Sequence, residues 1–122
     1  MTHIVVKTTK ELKANLKKLK GSDYVAIDTE FHREKTYYAH LCLIQMATDE
    51  HMFAIDPLSN DIDLKPLYDY LLQPDVTKVM HSGKQDLEIF FQQCGKVIRP
   101  VFDTQIGAMA LGFGEQIGYA NL

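Results

Sequence analysis

The apolar run Tyr24-Val25-Ala26-Ile27 leads directly into Asp28-Thr29-Glu30. This junction constrains the fold more than any other stretch of the chain. Tyr, Val and Ile favour a pleated strand. Side chains alternate across a strand, so Asp28 and Glu30 share one face and Thr29 takes the other. Two neighbouring carboxylates cannot be buried without compensation. Something must therefore neutralise the acids. A hard divalent ion such as Mg2+, which keeps positions for water and phosphate oxygens, is the natural candidate.

The surrounding pattern alternates between strands and helices. His3 to Lys7 predicts a short strand. Thr8 and Glu11 have capping-box spacing for a helix to about Lys20, which Gly21 would close. Tyr24–Phe31, His40–Ala47 and His51–Ile55 read as strands, with a hairpin turn at Asp49-Glu50. Leu64, Leu67, Tyr68, Leu71 and Leu72 recur at helical spacing, and that helix must stop before Pro74. Thr77–Met80 predicts a buried strand. Ser82 and Gln85 predict a capped helix ending at Gly95. Val101-Phe102 forms a short strand, followed by a helix from Thr104 to Leu111, for which Asp103 is the cap. This order predicts an α/β fold with a mixed sheet.

Composition narrows the function classes. A chain of 122 residues with 46% hydrophobic content can build one domain around a real core. It has no apolar run of about 18 residues, so no membrane helix is expected. Residues 1–7 do not resemble a secretion signal. Cys42 and Cys94 are too few and too far apart for a disulfide scaffold. A cytoplasmic location is expected. The formal net charge of −3 argues against a strongly basic nucleic-acid coat. Lys7, Lys10, Lys13, Lys17, Lys18 and Lys20 read as the wet face of the first helix, whose dry face carries Leu12, Leu16 and Leu19. His3, His40 and His51 lack partners at ligand spacing, so surface positions are expected for them.

Asp86 falls in the first turn of the Ser82 helix, just after a buried strand. Its charge there is favoured by the helix dipole, and α/β folds place ligands at the carboxyl ends of strands. Either acidic motif alone is weak. Together, in the order strand with paired acids, hairpin, helix, strand, helix with a third acid, they form a specific signal.

At this point the chain resembles the ribonuclease D family. Asp28-Thr29-Glu30-Phe31, with Tyr37-Tyr38 and Leu41-Cys42-Leu43-Ile44-Gln45 behind it, is similar to that family's first exonuclease motif. His81-Ser82-Gly83-Lys84-Gln85-Asp86-Leu87-Glu88 is similar to its second. Phe102-Asp103-Thr104-Gln105-Ile106 and the stretch Gly114 to Leu122 resemble the segments that follow. The resemblance implies a ribonuclease-H-like mixed sheet flanked by helices, in the DEDD exonuclease superfamily. It implies 3′-to-5′ removal of nucleotides from single-stranded RNA ends, with maturation of transfer RNA as the role. It also implies two divalent ions, Mg2+ or Mn2+, about 4 Å apart. Asp28 would bridge them or bind the first, Glu30 would hold one ion and orient the attacking water, and Asp86 would hold the second. Phe31 would stack on a terminal base or pack in the core. Gln85 would cap its helix or touch a phosphate or sugar. His81 would brace the second motif or contact substrate. His32 is a weaker candidate for a phosphate contact.

The resemblance also sets an expectation of incompleteness. The family's third motif is a Tyr four residues before an Asp, and no such pair follows Asp86. Tyr119 has only three residues after it. The expected reading is a partial exonuclease domain over residues 1–122, C-terminally incomplete and without the family's later helical domains. Weak or absent turnover is expected of it. Two alternatives stand beside that reading: a non-catalytic remnant that binds metal and nucleotide, and a 3′-to-5′ exonuclease acting on DNA. A haloacid-dehalogenase phosphatase would need Asp where Glu30 stands.

Overall fold

A computed structural model describes residues 4–32 and 40–110. The elements are β1 (Val5–Val6), α1 (Thr9–Lys18), β2 (Tyr24–His32), β3 (His40–Ala47), β4 (Met52–Ile55), α2 (Lys65–Leu71), β5 (Thr77–Met80), α3 (Lys84–Cys94), β6 (Val101–Asp103) and α4 (Thr104–Ala110). Local chemistry explains most of their ends. The Glu11 N–H donates to Thr8 Oγ1 at 3.1 Å, capping α1. Pro66 lies in the first turn of α2, where its missing N–H costs nothing. Gly95 closes α3 with φ 74°, in the left-handed region that favours glycine.

The strands form one six-stranded mixed sheet in the order β1-β4-β3-β2-β5-β6. β2, β3 and β4 make an antiparallel meander. β1 runs parallel to β4, and β5 runs parallel to both β2 and β6. This is the α/β mixed sheet expected from the element order, in the ribonuclease-H-like arrangement that the resemblance implies. Among the described residues no helix is long and apolar enough to cross a membrane.

One face of the sheet carries the core. Val6, Val25, Ile27, Ile44, Met46 and Ile55 join Leu12 and Leu19 of the α1 segment, Leu67 and Leu71 of α2, and Ile89 and Phe90 of α3 in a single cluster. Each such side chain, fully buried, contributes about 1.5–3 kcal/mol. Strand alternation alone would not admit both Leu41 and Ile44 to this face, because they are three apart. The register explains it. Glu30 pairs with Leu43 and Phe31 with Leu41, so Cys42 is an extra residue in a bulge. The irregularity falls directly after the Asp28–Glu30 pair and rephases β3 toward the core.

Strand β5, between β2 and the edge strand β6, holds a lysine in this dry face. Lys78 is fully buried, and its Nζ donates to the carbonyls of Gln73 at 2.5 Å and Arg99 at 3.2 Å. Burial pulls its pKa below the ordinary lysine value, and the charge of Asp75 partly opposes that. Periodicity could not reveal this, because both carbonyls belong to the connections flanking β5 and α3, and Arg99 is 21 residues away.

Candidate metal and nucleotide site

β5 is short and pairs with β2 only as far as Ala26↔Val79. The second half of β2 therefore runs on past β5, beside the start of α3. Asp28 and Glu30 project from the face of β2 opposite the core, and both are exposed. Asp28 opens onto a cavity of about 400 Å³, also lined by Gln45, Met52, His81 and Thr104. A larger cavity of about 820 Å³ lies apart from the Asp28–Glu30 pair, against Phe91, Val97, Phe102 and Ile106.

Asp86 is buried in the first turn of α3. The hydroxyl of Thr29, also buried, donates to its Oδ1. These partners are 57 residues apart, and Thr29 is the residue between the two acids of β2. Burial raises the Asp86 pKa above the ordinary carboxylate value; the Thr29 hydrogen bond opposes this, and the charges of Asp28 and Asp103 add to it. The structure thus brings Asp86 within electrostatic reach of Asp28. Among the described residues, no three His, Cys, Asp or Glu side chains close into a metal-holding group. Asp86 is instead engaged by the Thr29 hydroxyl. The donor chemistry still fits a hard divalent cation, since every candidate ligand is a carboxylate oxygen.

The remaining candidates divide. Phe31 is half-buried and packs against the core cluster. Gln85 is exposed on the first turn of α3. The Nδ1 of His81 lies 2.8 Å from Thr104 Oγ1, which in turn donates to the Met80 carbonyl at 3.3 Å. His81 therefore braces the end of β5 while also lining the Asp28 cavity. His32 is exposed at the end of β2. Tyr37, Tyr38, Tyr119, His3 and the stretch from Gly114 lie outside the described residues.

The predicted Ser82–Gln85 cap is not what starts α3. Gly83 is the N-cap, with no side-chain cap of its own. Ser82 adopts φ 54°, a left-handed conformation costing a non-glycine residue about 1–2 kcal/mol. Gly83 passes so close to Met80 that an added Cβ would meet that side chain at 2.7 Å. Asp103 of β6 supplies the cap instead, accepting from the Ser82 N–H at 2.9 Å and the Gly83 N–H at 2.8 Å. The expected cap of α4 is present as well, since Gln105 N–H donates to Asp103 Oδ1 at 2.9 Å. Burial would raise the Asp103 pKa, but hydrogen bonds from backbone N–H groups, Gly83 and Ser82 foremost, hold it below the ordinary value.

The sequence profile of a 3′-5′ exonuclease family matches residues 3–122. Ribonuclease D of Zymomonas mobilis is 50% identical over 121 residues, covering 98% of this chain and 31% of that protein. Ribonuclease D of Sphingobium indicum is 49% identical over the same length, with the same two coverages. The crystal structure of Escherichia coli RNase D, described as an exoribonuclease involved in structured RNA processing, superposes with a TM-score of 0.91 at 38% identity. That superposition covers 99% of this chain and 32% of the E. coli chain. The chain therefore spans about a third of the length of these relatives.

Proposed function

We propose that this chain, which belongs to the 3′-5′ exonuclease family, carries the acidic end of an exoribonuclease site that removes nucleotides from RNA 3′ ends. The observation that carries the reading is the meeting of β2 and α3. One strand end presents Asp28 to a cavity and Glu30 to solvent, and Thr29 between them anchors the buried Asp86. Ribonuclease D relatives and the described activity of the E. coli enzyme support RNA as the substrate class. Transfer-RNA ends fit the role, and a cytoplasmic location fits an enzyme of RNA processing.

Asp28, Glu30 and Asp86 would hold Mg2+ or Mn2+. When bound, such ions offset phosphate charge and activate water for attack on phosphorus. Glu30, exposed near the end of β2, would orient that water. His81 fixes the floor of the cavity through Thr104. Gln85, exposed one residue before Asp86, would contact a phosphate or sugar. Phe31 contributes first to packing, and stacking on a base uses only its exposed part.

The test pairs Mn2+ calorimetry with hydrolysis of end-labelled single-stranded RNA and DNA. The expected result is Mn2+ binding that Asp28→Ala and Asp86→Ala both abolish, with trimming of RNA from its 3′ end. Mn2+ binding indifferent to both substitutions would end the metal-site reading. Preferential trimming of DNA would assign the chain to the DNA-directed alternative. Metal-dependent RNA binding without any trimming would make it a non-catalytic remnant.

A further inference from the structure

We propose that Asp103 is a positioning residue for this site: from β6 it grips the Ser82–Gly83 turn and so sets the first turn of α3, which carries Asp86. The inference rests on the reading of Asp86 as a metal ligand.

Its basis is a latch between two strand ends. Asp103 Oδ1 accepts from Ser82 N–H and Gln105 N–H, and Oδ2 accepts from Gly83 N–H. One carboxylate thereby joins the turn before α3 to the first turn of α4. Next to it, His81 and Thr104 make a second link between the same segments. The turn needs an outside hold, because Ser82 is in the left-handed region and α3 has no side-chain cap of its own. Gly83 opens the helix with its carbonyl accepting from Leu87 N–H at 3.0 Å. Asp86 follows within that same turn, so a shift of Ser82–Gly83 moves the Asp86 carboxylate directly. Thr29 fixes Asp86 from the β2 side. Asp103 fixes the backbone that delivers it. A carboxylate suits the role because backbone N–H groups bond an ionised acceptor more strongly than a neutral one.

The test uses the 122-residue protein, Mn2+ calorimetry and amide resonances. Asp103→Asn keeps the shape but puts an N–H₂ group where one of the backbone N–H groups now donates. It is expected to weaken Mn2+ binding about 10- to 100-fold and to move the amide signals of Ser82, Gly83 and Asp86, with those of α1 unchanged. Lys78→Ala, a destabilising change outside the site, is expected to leave Mn2+ affinity alone, which separates positioning from general loss of stability. Asp103→Ala should exceed Asp103→Asn in both effects; if it fails to fold, the Asn variant decides. Mn2+ affinity within about twofold of the parent, well short of the usual loss at such a supporting group, with the Asp86 amide unmoved, overturns the proposal. If the parent shows no Asp28-dependent Mn2+ binding, the ligand reading fails by itself. The positioning role then stands or falls on whether Asp103→Asn moves the Asp86 amide.

Discussion

Thr29→Val isolates the contact that joins the two acidic motifs. Valine matches threonine in shape and suits a strand, so neither a cavity nor a register change follows. The substitution removes one hydroxyl donor from a buried carboxylate, and both partners are only 8% exposed. A hydrogen bond to a charged group of this kind is worth about 1.5–3 kcal/mol, less what a buried methyl gains, so a loss of about 1–3 kcal/mol is expected. For a domain of this size that lowers Tm by about 3 to 12 °C. The loss should shrink below about 0.5 kcal/mol in an Asp86→Ala background, where the hydroxyl has lost its partner. Its pH dependence follows from linkage. The folded-state pKa of Asp86 is already raised, burial being the first cause and the Thr29 bond opposing it. The stability tied to its protonation is complete below the ordinary carboxylate range and is lost as pH rises through the folded-state value. Removing the hydroxyl moves that value higher still. The Thr29→Val penalty should therefore be small in acid and full at neutral pH. Urea unfolding of the four variants of the cycle at two pH values measures this. A penalty equal in both backgrounds and at both pH values would refute the anchoring of Asp86 by Thr29.

Two further outcomes follow from the buried polar groups. Lys78→Ala removes a fully buried stem and both carbonyl contacts, whereas Lys78→Met keeps the stem; the alanine variant should lose at least about 2 kcal/mol more in urea unfolding. The parent should also gain stability as pH rises from the lowered Lys78 pKa toward the ordinary lysine value, because the unfolded chain binds more protons there, and the methionine variant should lack that gain. Tyr70→Phe should cost less than about 0.5 kcal/mol or even stabilise, since the buried Tyr70 hydroxyl has no hydrogen-bond partner among the described residues; a large loss of Tm would show that it is satisfied in solution.

Most of the fold was legible before any coordinates, because its signals are local. Leu12, Leu16 and Leu19 mark a helical face, Thr8 with Glu11 marks a cap, and Gly95 marks a stop; each depends on residues only a few positions apart. The shared face of Asp28 and Glu30 is likewise a property of any strand. Ser82 and Gln85 mimicked a cap because their spacing is right, but Ser82 took a left-handed conformation and left the helix start to a residue from another strand. The bulge at Cys42 was illegible too, as it exists only where β3 meets β2.

The sequence by itself determined which residues carry charge, which faces they share along each element, and in what order those elements come, since these follow from bonding geometry and nearest neighbours. Tertiary structure alone decided that Thr29 meets Asp86, that Asp103 holds the turn before α3, and that Lys78 lies dry between two carbonyls. All but the Lys78–Gln73 contact join residues 20 or more apart in the chain, and their energies exist only once the sheet has brought them together.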